Sequence, residues 1–118
     1  MTDGTFSFRW GIDCLDAGYL QIPNFMFRYY QEANVNRVEF LFIMHLASYK
    51  YETPSSKSYP SLPTIAKEMG LSRRHLQRLR ASLEEKGHLT VTHIEGGSSV
   101  YDFSGFAKAV YYLWMNEP

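Results

Sequence analysis

The strongest hydrophobic pattern in the chain runs through NRVEFLFIMHLASYKY, residues 36–51, where apolar side chains recur at intervals of three and four. Residues at this spacing share one face of a helix, so the segment predicts an amphipathic helix, and the breadth of the face indicates a central position in the core. The face consists of Val38, Phe40, Leu41, Phe42, Ile43, His45, Leu46 and Tyr49. We interpret His45 as a hydrogen-bonded core histidine rather than a metal ligand.

Shorter helices are predicted on both sides of this segment. Pro23 followed by NFMFRYYQEAN indicates a helix with Asn24 as its cap and its end near Asn34. Near the other end of the chain, GFAKAVYYLWMNE predicts a further helix. Its buried stripe consists of Phe106, Val110 and Leu113. Residues 1–22 are less regular, and YLQIP has the short apolar character of a strand or an extended arm.

Two more helices are predicted on either side of Gly70. Ser61 can cap the first, LPTIAKEM, and Ser72 can cap the second, RRHLQRLRASLEEK, which Gly87 terminates. Gly70 permits the positive φ that a tight turn between helices requires. The inward-facing side chains of the pair are Ile65, Ala66, Met69, Leu71, Leu76, Leu79 and Leu83. This is the pattern of a helix-turn-helix.

Beyond Gly87 the period changes from helical to strand-like. The segments HLTVTHI and SVYDF flank EGGSS, which predicts a β-hairpin with glycines at its tip. The expected fold is therefore mainly α with a small β-hairpin, an α+β winged helix-turn-helix. The segment ETPSSKSYPS is a loop by composition, and neither of its flanks can bury its apolar residues alone.

We therefore expect a single domain over residues 1–118. Its parts are an N-terminal arm (1–22), two core helices (23–50), the helix-turn-helix (61–87), a wing hairpin (88–104) and a C-terminal helix (105–117).

The composition narrows the function classes. The chain has 118 residues, a formal net charge of zero and 45% hydrophobic residues, which excludes wholesale disorder. Cys14 is the only cysteine, so no intramolecular disulfide can form, which fits a reducing compartment. No signal peptide and no apolar run of membrane-spanning length is visible. We expect a cytoplasmic protein with no membrane segment.

Positive charge is concentrated between residues 67 and 80, where five basic residues accompany one acidic residue. Concentrated positive charge commonly binds phosphate. With the leucines of the second helix facing inward, four polar residues near its N-terminus face outward and are the candidate base readers: Arg73, Arg74, Gln77 and Arg78. Arginine can bind guanine and glutamine can bind adenine through two hydrogen bonds each.

The candidate phosphate contacts are Ser61, Thr64, Ser72 and Arg80, since helix N-termini and their hydroxyls suit that task. The alternative is a solvated basic face, in which Glu84 pairs with Arg80 at a spacing of four. Arg73 and Arg74 have no such neighbour. Double-stranded DNA is the expected partner.

The wing tip carries no lysine or arginine, and Glu95 lies beside it, so it should contribute little charge to DNA binding. Its backbone amides and serine hydroxyls can still contact the DNA backbone. The wing residues are Gly96, Gly97, Ser98 and Ser99.

Motifs of catalysis are missing from the sequence, which contains no phosphate-binding loop, dinucleotide turn or nucleophile elbow. His75, His88 and His93 have no zinc-site spacing. Asp102 can meet His93 across the hairpin as a surface pair. We expect no enzymatic activity, no metal and no cofactor.

Aromatic residues are abundant, with nine Tyr, eight Phe and two Trp. In the C-terminal helix they spread beyond the buried stripe, which is typical of an interface and predicts a homodimer. The candidate dimer residues are Tyr111, Tyr112 and Trp114. Two alternatives remain: Trp114 folds back onto the first helices, or an N-terminal segment around Phe6, Phe8 and Trp10 exchanges between subunits.

The segment YPSLPTIAKEMGLSRRHLQRLRASLEEKGHL resembles the winged helix-turn-helix domains of plasmid and phage replication proteins. The preceding IPNFMFRYYQEANVNRVEFLFIMHLASYKY is similar to the N-terminal domain of DnaD-type primosome proteins. The resemblance covers residues 19–105. It implies a winged helix, self-association, a role in replication initiation and contact with other replication proteins. The alternatives are a bacterial transcriptional regulator with the same DNA chemistry and a winged helix that serves only protein interaction.

Overall fold

A computed structural model of the chain describes residues 9–49, 57–58, 61–93 and 99–117. Six helices and three strands have defined bounds in these segments. They are α1 (Ile12–Ala17), α2 (Asn24–Tyr29), α3 (Arg37–Ser48), β1 (Lys57–Ser58), α4 (Leu62–Met69), α5 (Arg73–Glu85), β2 (Thr90–His93), β3 (Ser99–Asp102) and α6 (Ser104–Met115). This confirms the predicted α+β winged helix-turn-helix.

Helix α3 lies at the centre of the core, as its pattern predicts. Phe42, Ile43 and Leu46 are completely buried. The predicted face is wrong at Val38 and Leu41, which are 39% and 49% exposed. The buried face also includes Glu39, which the pattern did not predict, and the Ser82 hydroxyl of α5 and the Lys86 ammonium stabilise its carboxylate in the interior.

The helix-turn-helix forms as predicted from its local signals. The Ser61 hydroxyl accepts the N–H of Thr64 at 3.3 Å, and the Ser72 hydroxyl accepts the N–H of His75 at 3.0 Å. Gly70 ends α4 with a φ of +68°, the left-handed conformation that glycine adopts at low cost. The buried side chains of the two helices are Leu62, Ile65, Ala66, Leu76, Leu79 and Leu83.

The sheet has three antiparallel strands in the order β1-β3-β2. In the hairpin, Val91 pairs with Tyr101 and Thr92 with Val100. Strand β1 lies in the segment predicted as a loop, so that prediction is wrong at residues 57–58, which pair with β3. Two residues are too few to show an alternating pattern. The tip of the hairpin, residues 94–98, lies outside the described residues.

Helices α2 and α6 pack against each other beside the central helices. Asn24 is the first helical residue of α2 rather than its cap, because Pro23 occupies the cap position without a side-chain hydrogen bond. The α-helix also ends earlier than predicted, and the chain continues as a turn to Asn34, whose φ is +66°. Where α6 begins, Gly105 approaches the Gly87 carbonyl so closely that a Cβ at Gly105 would overlap it.

The N-terminal arm contains helix α1, which the sequence did not predict, whereas YLQIP, the predicted strand or extended arm, is neither helix nor strand. The side chains of Trp10 and Ile12 are each 65% exposed, so this part of the arm packs little against the domain. None of the helices in the described segments has both the length and the apolar character that a membrane span requires.

Candidate nucleic-acid interface

The predicted base readers lie on the exposed side of α5. We refer to Arg73, Arg74, Gln77 and Arg78 as the basic face; all four are exposed. Leu76, Leu79 and Leu83 on the opposite side are buried and fix the orientation of the helix. Among the described residues, Arg73, Arg74 and Arg78 have no acidic partner within ion-pair distance. Their charge is available to an external anion.

The basic face has two stripes. Arg74 and Arg78, four residues apart, point directly away from the buried leucines. Arg73 and Gln77 share the second stripe with Arg80, which turns toward the sheet. This second stripe forms one wall of a concave pocket of about 260 Å³ between the N-terminus of α4 and strand β3. We call it the wing-root pocket; its lining residues are Ser61, Leu62, Pro63, Arg73, Gln77, Arg80, Ser99 and Tyr101.

Arg80 is the most constrained of the four arginines. Its side chain is 27% exposed, and its Nε lies 3.6 Å from Oε1 of Glu84. That Nε is buried and has no hydrogen-bond partner among the described residues. Burial raises the pKa of the Tyr101 phenol, while the adjacent Arg80 guanidinium and Ser99 hydroxyl oppose the increase. Arg80 is thus both paired with Glu84, as one alternative predicted, and held against strand β3.

The predicted phosphate contacts other than Arg80 lie at helix N-termini. The hydroxyls of Ser61 and Thr64 are 2.7 Å apart at the start of α4, and Ser72 caps α5. The structure brings Ser61 and Arg80 together in the wing-root pocket. Thr64 and Ser72 are exposed and lie outside its lining.

Of the four predicted wing residues, the structure describes only Ser99. Gly96, Gly97 and Ser98 lie outside the described residues, whereas Ser99 begins β3 and its Oγ is 2.9 Å from Nδ1 of His93. The predicted pair between His93 and Asp102 is wrong. His93 is opposite Ser99 in the hairpin, and Asp102 is opposite Thr90, at the other end of the ladder.

Two of the other histidines, His45 and His88, have structural partners. Nδ1 of His45 lies 3.1 Å from Oε1 of Glu68, so this half-buried residue is hydrogen-bonded as predicted, but at the contact between α3 and α4. Nε2 of the buried His88 lies 2.7 Å from the carbonyl oxygen of Ala33. The described segments contain no cluster of three or more His, Cys, Asp or Glu residues that could hold a metal ion.

A buried carboxylate that the sequence analysis missed holds α5 in position. Glu39 accepts hydrogen bonds from the Ser82 hydroxyl at 2.6 Å and from the Lys86 ammonium at 3.0 Å. It also forms a capping box with Asn36 at the start of α3. The spacing N-x-x-E at the predicted start of a helix is a recognisable capping signal and could have identified Glu39.

Burial raises the pKa of Glu39, but the hydrogen bonds from Ser82, the Asn36 N–H and Lys86 outweigh it, so the pKa lies below its ordinary value. A second carboxylate positions α4. The Tyr49 hydroxyl donates to Glu68, and this bond, opposed by desolvation and assisted by His45, lowers the pKa of Glu68. Both helices of the pair are therefore linked to α3 by carboxylates.

Tyr101 is the polar member of the wing-root pocket that the sequence analysis missed. Ser99 and Tyr101 are two residues apart on one strand and so share a face of the sheet. That alternation was visible in SVYDF, but which face lies beside α5 depends on the docking of the hairpin.

Comparison with known proteins agrees with this geometry. Residues 33–89 match the family model of a helix-turn-helix domain. The matched region extends from the turn before α3 to the beginning of the hairpin and includes the whole basic face. This match supports DNA binding, and such domains are typically not enzymes. Among curated proteins, none matches the chain.

The candidate dimer residues differ in their surroundings. The Trp114 ring stacks on Phe25 with centroids 5.4 Å apart, and Tyr111 contacts the same ring edge-on at 6.0 Å. The alternative in which Trp114 folds back onto the first helices is therefore observed. Tyr112 is 67% exposed and Met115 is 58% exposed on the same helix.

Proposed function

We propose that this chain binds double-stranded DNA by inserting α5 into the major groove, where Arg73, Arg74, Gln77 and Arg78 contact base edges. The observation that supports this most strongly is the set of three exposed arginines, without acidic partners in the described structure, on the first turns of the second helix of a helix-turn-helix. Such crowding of like charge is unfavourable in isolation and becomes favourable against phosphates.

The contacts to the DNA backbone would come from helix ends and from the side of α5. Ser61, Thr64 and Ser72 present hydroxyls at the N-termini of α4 and α5, where the helix dipoles favour an anion. Arg80 supplies a charge-assisted donor. This part of the wing has no basic side chain. It would therefore contact the DNA backbone only through the amides and hydroxyls of Gly96, Gly97, Ser98 and Ser99.

We propose replication initiation on plasmid or phage-type DNA as the biological role, through recognition of an origin or operator. The resemblance of residues 19–105 to replication proteins supports this role. Transcriptional regulation would use the same basic face. In either role the chain would act in the cytoplasm as a single domain and a homodimer, the replication role adding contacts with other replication proteins.

Selection of binding sites from a random duplex library at low salt tests the proposal. We expect enrichment of a common sequence, arranged as two half-sites if the protein is a dimer. Mapping that sequence to a replication origin or to promoters on the element that encodes the chain would separate the two roles. No enrichment and no retention of any duplex at low salt would contradict DNA binding and favour the protein-interaction alternative.

A further inference from the structure

The wing-root pocket has the chemistry of an anion site. Its polar lining consists of hydrogen-bond donors: two guanidinium groups, one carboxamide, two serine hydroxyls and a phenol. No carboxylate is part of the lining. Leu62 and Pro63 place the N-terminus of α4 at the same site, and a helix N-terminus adds a partial positive charge.

The pocket is large enough to hold a phosphate group. A volume of about 260 Å³ is several times the roughly 30 Å³ that one water molecule occupies. The pocket opens between α5 and β3, on the side of the helix-turn-helix where the wing joins the domain. A DNA strand adjacent to a groove-bound α5 would pass this opening.

Arg80 is held in place before any ligand binds. Glu84 lies beside its Nε, and the Tyr101 phenol of β3 lies beside its guanidinium. A side chain that is already ordered loses less rotamer entropy on binding than a free surface arginine. The Tyr101 residue is only 2% exposed, so its hydroxyl is fixed by the packing of the ring.

We propose that the wing-root pocket binds one phosphodiester group of the DNA backbone, with Arg80 and the Tyr101 hydroxyl as its central donors. The inference rests on the proposed function, because it assumes that α5 is bound to duplex DNA. The main phosphate contact of the wing would then lie in the wing-root pocket, beside β3, and not at the tip of the hairpin. The tip sequence EGGSS has no basic residue to make an equivalent charged contact.

A phosphate-neutralisation scan tests the assignment. Each backbone phosphate of a selected duplex is replaced in turn by an uncharged methylphosphonate, and affinity is measured for the wild type and for the Tyr101→Phe and Arg80→Gln variants. Arg74→Ala is the matched control, since it removes a charge from the outward stripe. Thermal melts establish that each protein is folded, and Tyr101→Phe removes only one hydroxyl from the core.

At one position per half-site, neutralisation should weaken wild-type binding about tenfold, as expected for loss of a charge-assisted hydrogen bond. The same neutralisation should cost Arg80→Gln less than about twofold and cost Arg74→Ala the full factor, whereas Tyr101→Phe should lose an intermediate factor because Arg80 remains. Equal, additive losses in all four proteins at every position would overturn the assignment while leaving DNA binding intact. Failure of the wild type to bind the unmodified duplex would overturn the proposed function as well.

Free phosphate is the other possible source of the anion. Inorganic phosphate is therefore titrated against the wild type and Arg80→Gln, with the Tyr101 resonances observed by NMR. Weak, non-saturating shifts up to tens of millimolar are expected for a pocket that needs the rest of the duplex for affinity. Saturation by micromolar phosphate, together with a flat neutralisation scan, would overturn the DNA assignment.

Discussion

The ammonium of Lys86 lies 3.0 Å from Oε1 of Glu39, a residue that is only 1% exposed. The same ammonium donates to the carbonyl of Asn34 at 2.7 Å. This ion pair joins the beginning of α3 to the end of α5, on the side of α5 opposite the wing-root pocket. The orientation in which α5 presents its basic face thus depends on a polar contact as well as on the leucines.

Replacing Glu39 with Gln should lower the free energy of unfolding by about 2–4 kcal/mol, because it leaves Lys86 without its counter-charge in a partly buried site. Urea denaturation of the variant and the wild type measures the change. Glu85→Gln is a suitable control, since Glu85 is an exposed carboxylate near the same helix end. Similar effects of the two substitutions would show that the ion pair does not stabilise the fold.

The stability that Glu39 contributes should depend on pH. Burial raises its pKa, but Ser82, the Asn36 N–H and Lys86 together hold it below the ordinary value of 4.5. A carboxyl with a lowered folded pKa stabilises the protein above its unfolded pKa, and this contribution is lost as the pH falls through the folded pKa. The stability gap between wild type and Glu39→Gln should therefore be constant near neutrality and shrink below about pH 4.5. A gap that grows in acid would contradict the direction of the shift.

Variants of the base-reading residues and variants of the backbone-contact residues should change DNA binding in different ways. Arg74→Ala and Arg78→Ala should each cost about 1–3 kcal/mol on the selected site and relax its base preference. Ser72→Ala should weaken all sequences to a similar, smaller extent, because a phosphate contact carries no sequence information. Competition binding with single-base variants of the site measures both effects. Equal loss of specificity in the two groups would show that the assignment of the outward stripe is wrong.

Self-association should depend on the exposed part of α6. Tyr111 and Trp114 are engaged with Phe25, so Tyr112 is the cleaner probe. Sedimentation at micromolar concentration should show a dimer for the wild type and a monomer for Tyr112→Glu, since a buried charge disfavours an apolar interface.

Trp10→Ala is the control for the N-terminal arm and should leave the dimer intact. The opposite pattern, a dimer lost in Trp10→Ala and kept in Tyr112→Glu, would move the interface to the arm. A monomeric wild type would contradict the dimer.

Features that depend on neighbours in sequence were predictable. The caps Ser61 and Ser72 form hydrogen bonds within three residues, and Gly70 adopts its dihedral angles at a local turn. The spacing of Leu76 and Leu79 likewise identifies the buried face of α5. The basic face followed from the same spacing. These signals were sufficient to predict the helix-turn-helix and the exposure of Arg73, Arg74 and Arg78.

Features that depend on distant contacts were not predictable to the same extent. Val38 fits the apolar period of α3 but is exposed. This exposure was not predictable, because nothing in the sequence shows which neighbours cover the helix. Strand β1 exists through its pairing with β3, more than forty positions later along the chain. The pairing of Arg80 with Glu84 was visible in the sequence, but only the docking of β3 places Tyr101 beside Arg80.

The central claim is that the basic face binds DNA, and a salt series of duplex titrations tests it most directly. Fluorescence anisotropy is measured for the wild type, for a variant with Arg73, Arg74 and Arg78 changed to Ala, and for a control with Arg28, Arg37 and Lys108 changed to Ala. The control removes the same number of positive charges from exposed positions outside α4 and α5. With three to five phosphates neutralised per protomer, the wild-type log–log slope should be about −2.7 to −4.5 for each protomer bound.

The basic-face variant should lose more than about a hundredfold in affinity at low salt, and the control should stay within about threefold of the wild type. Wild-type binding that is indifferent to salt, or an equal loss in the two triple variants, would contradict the claim.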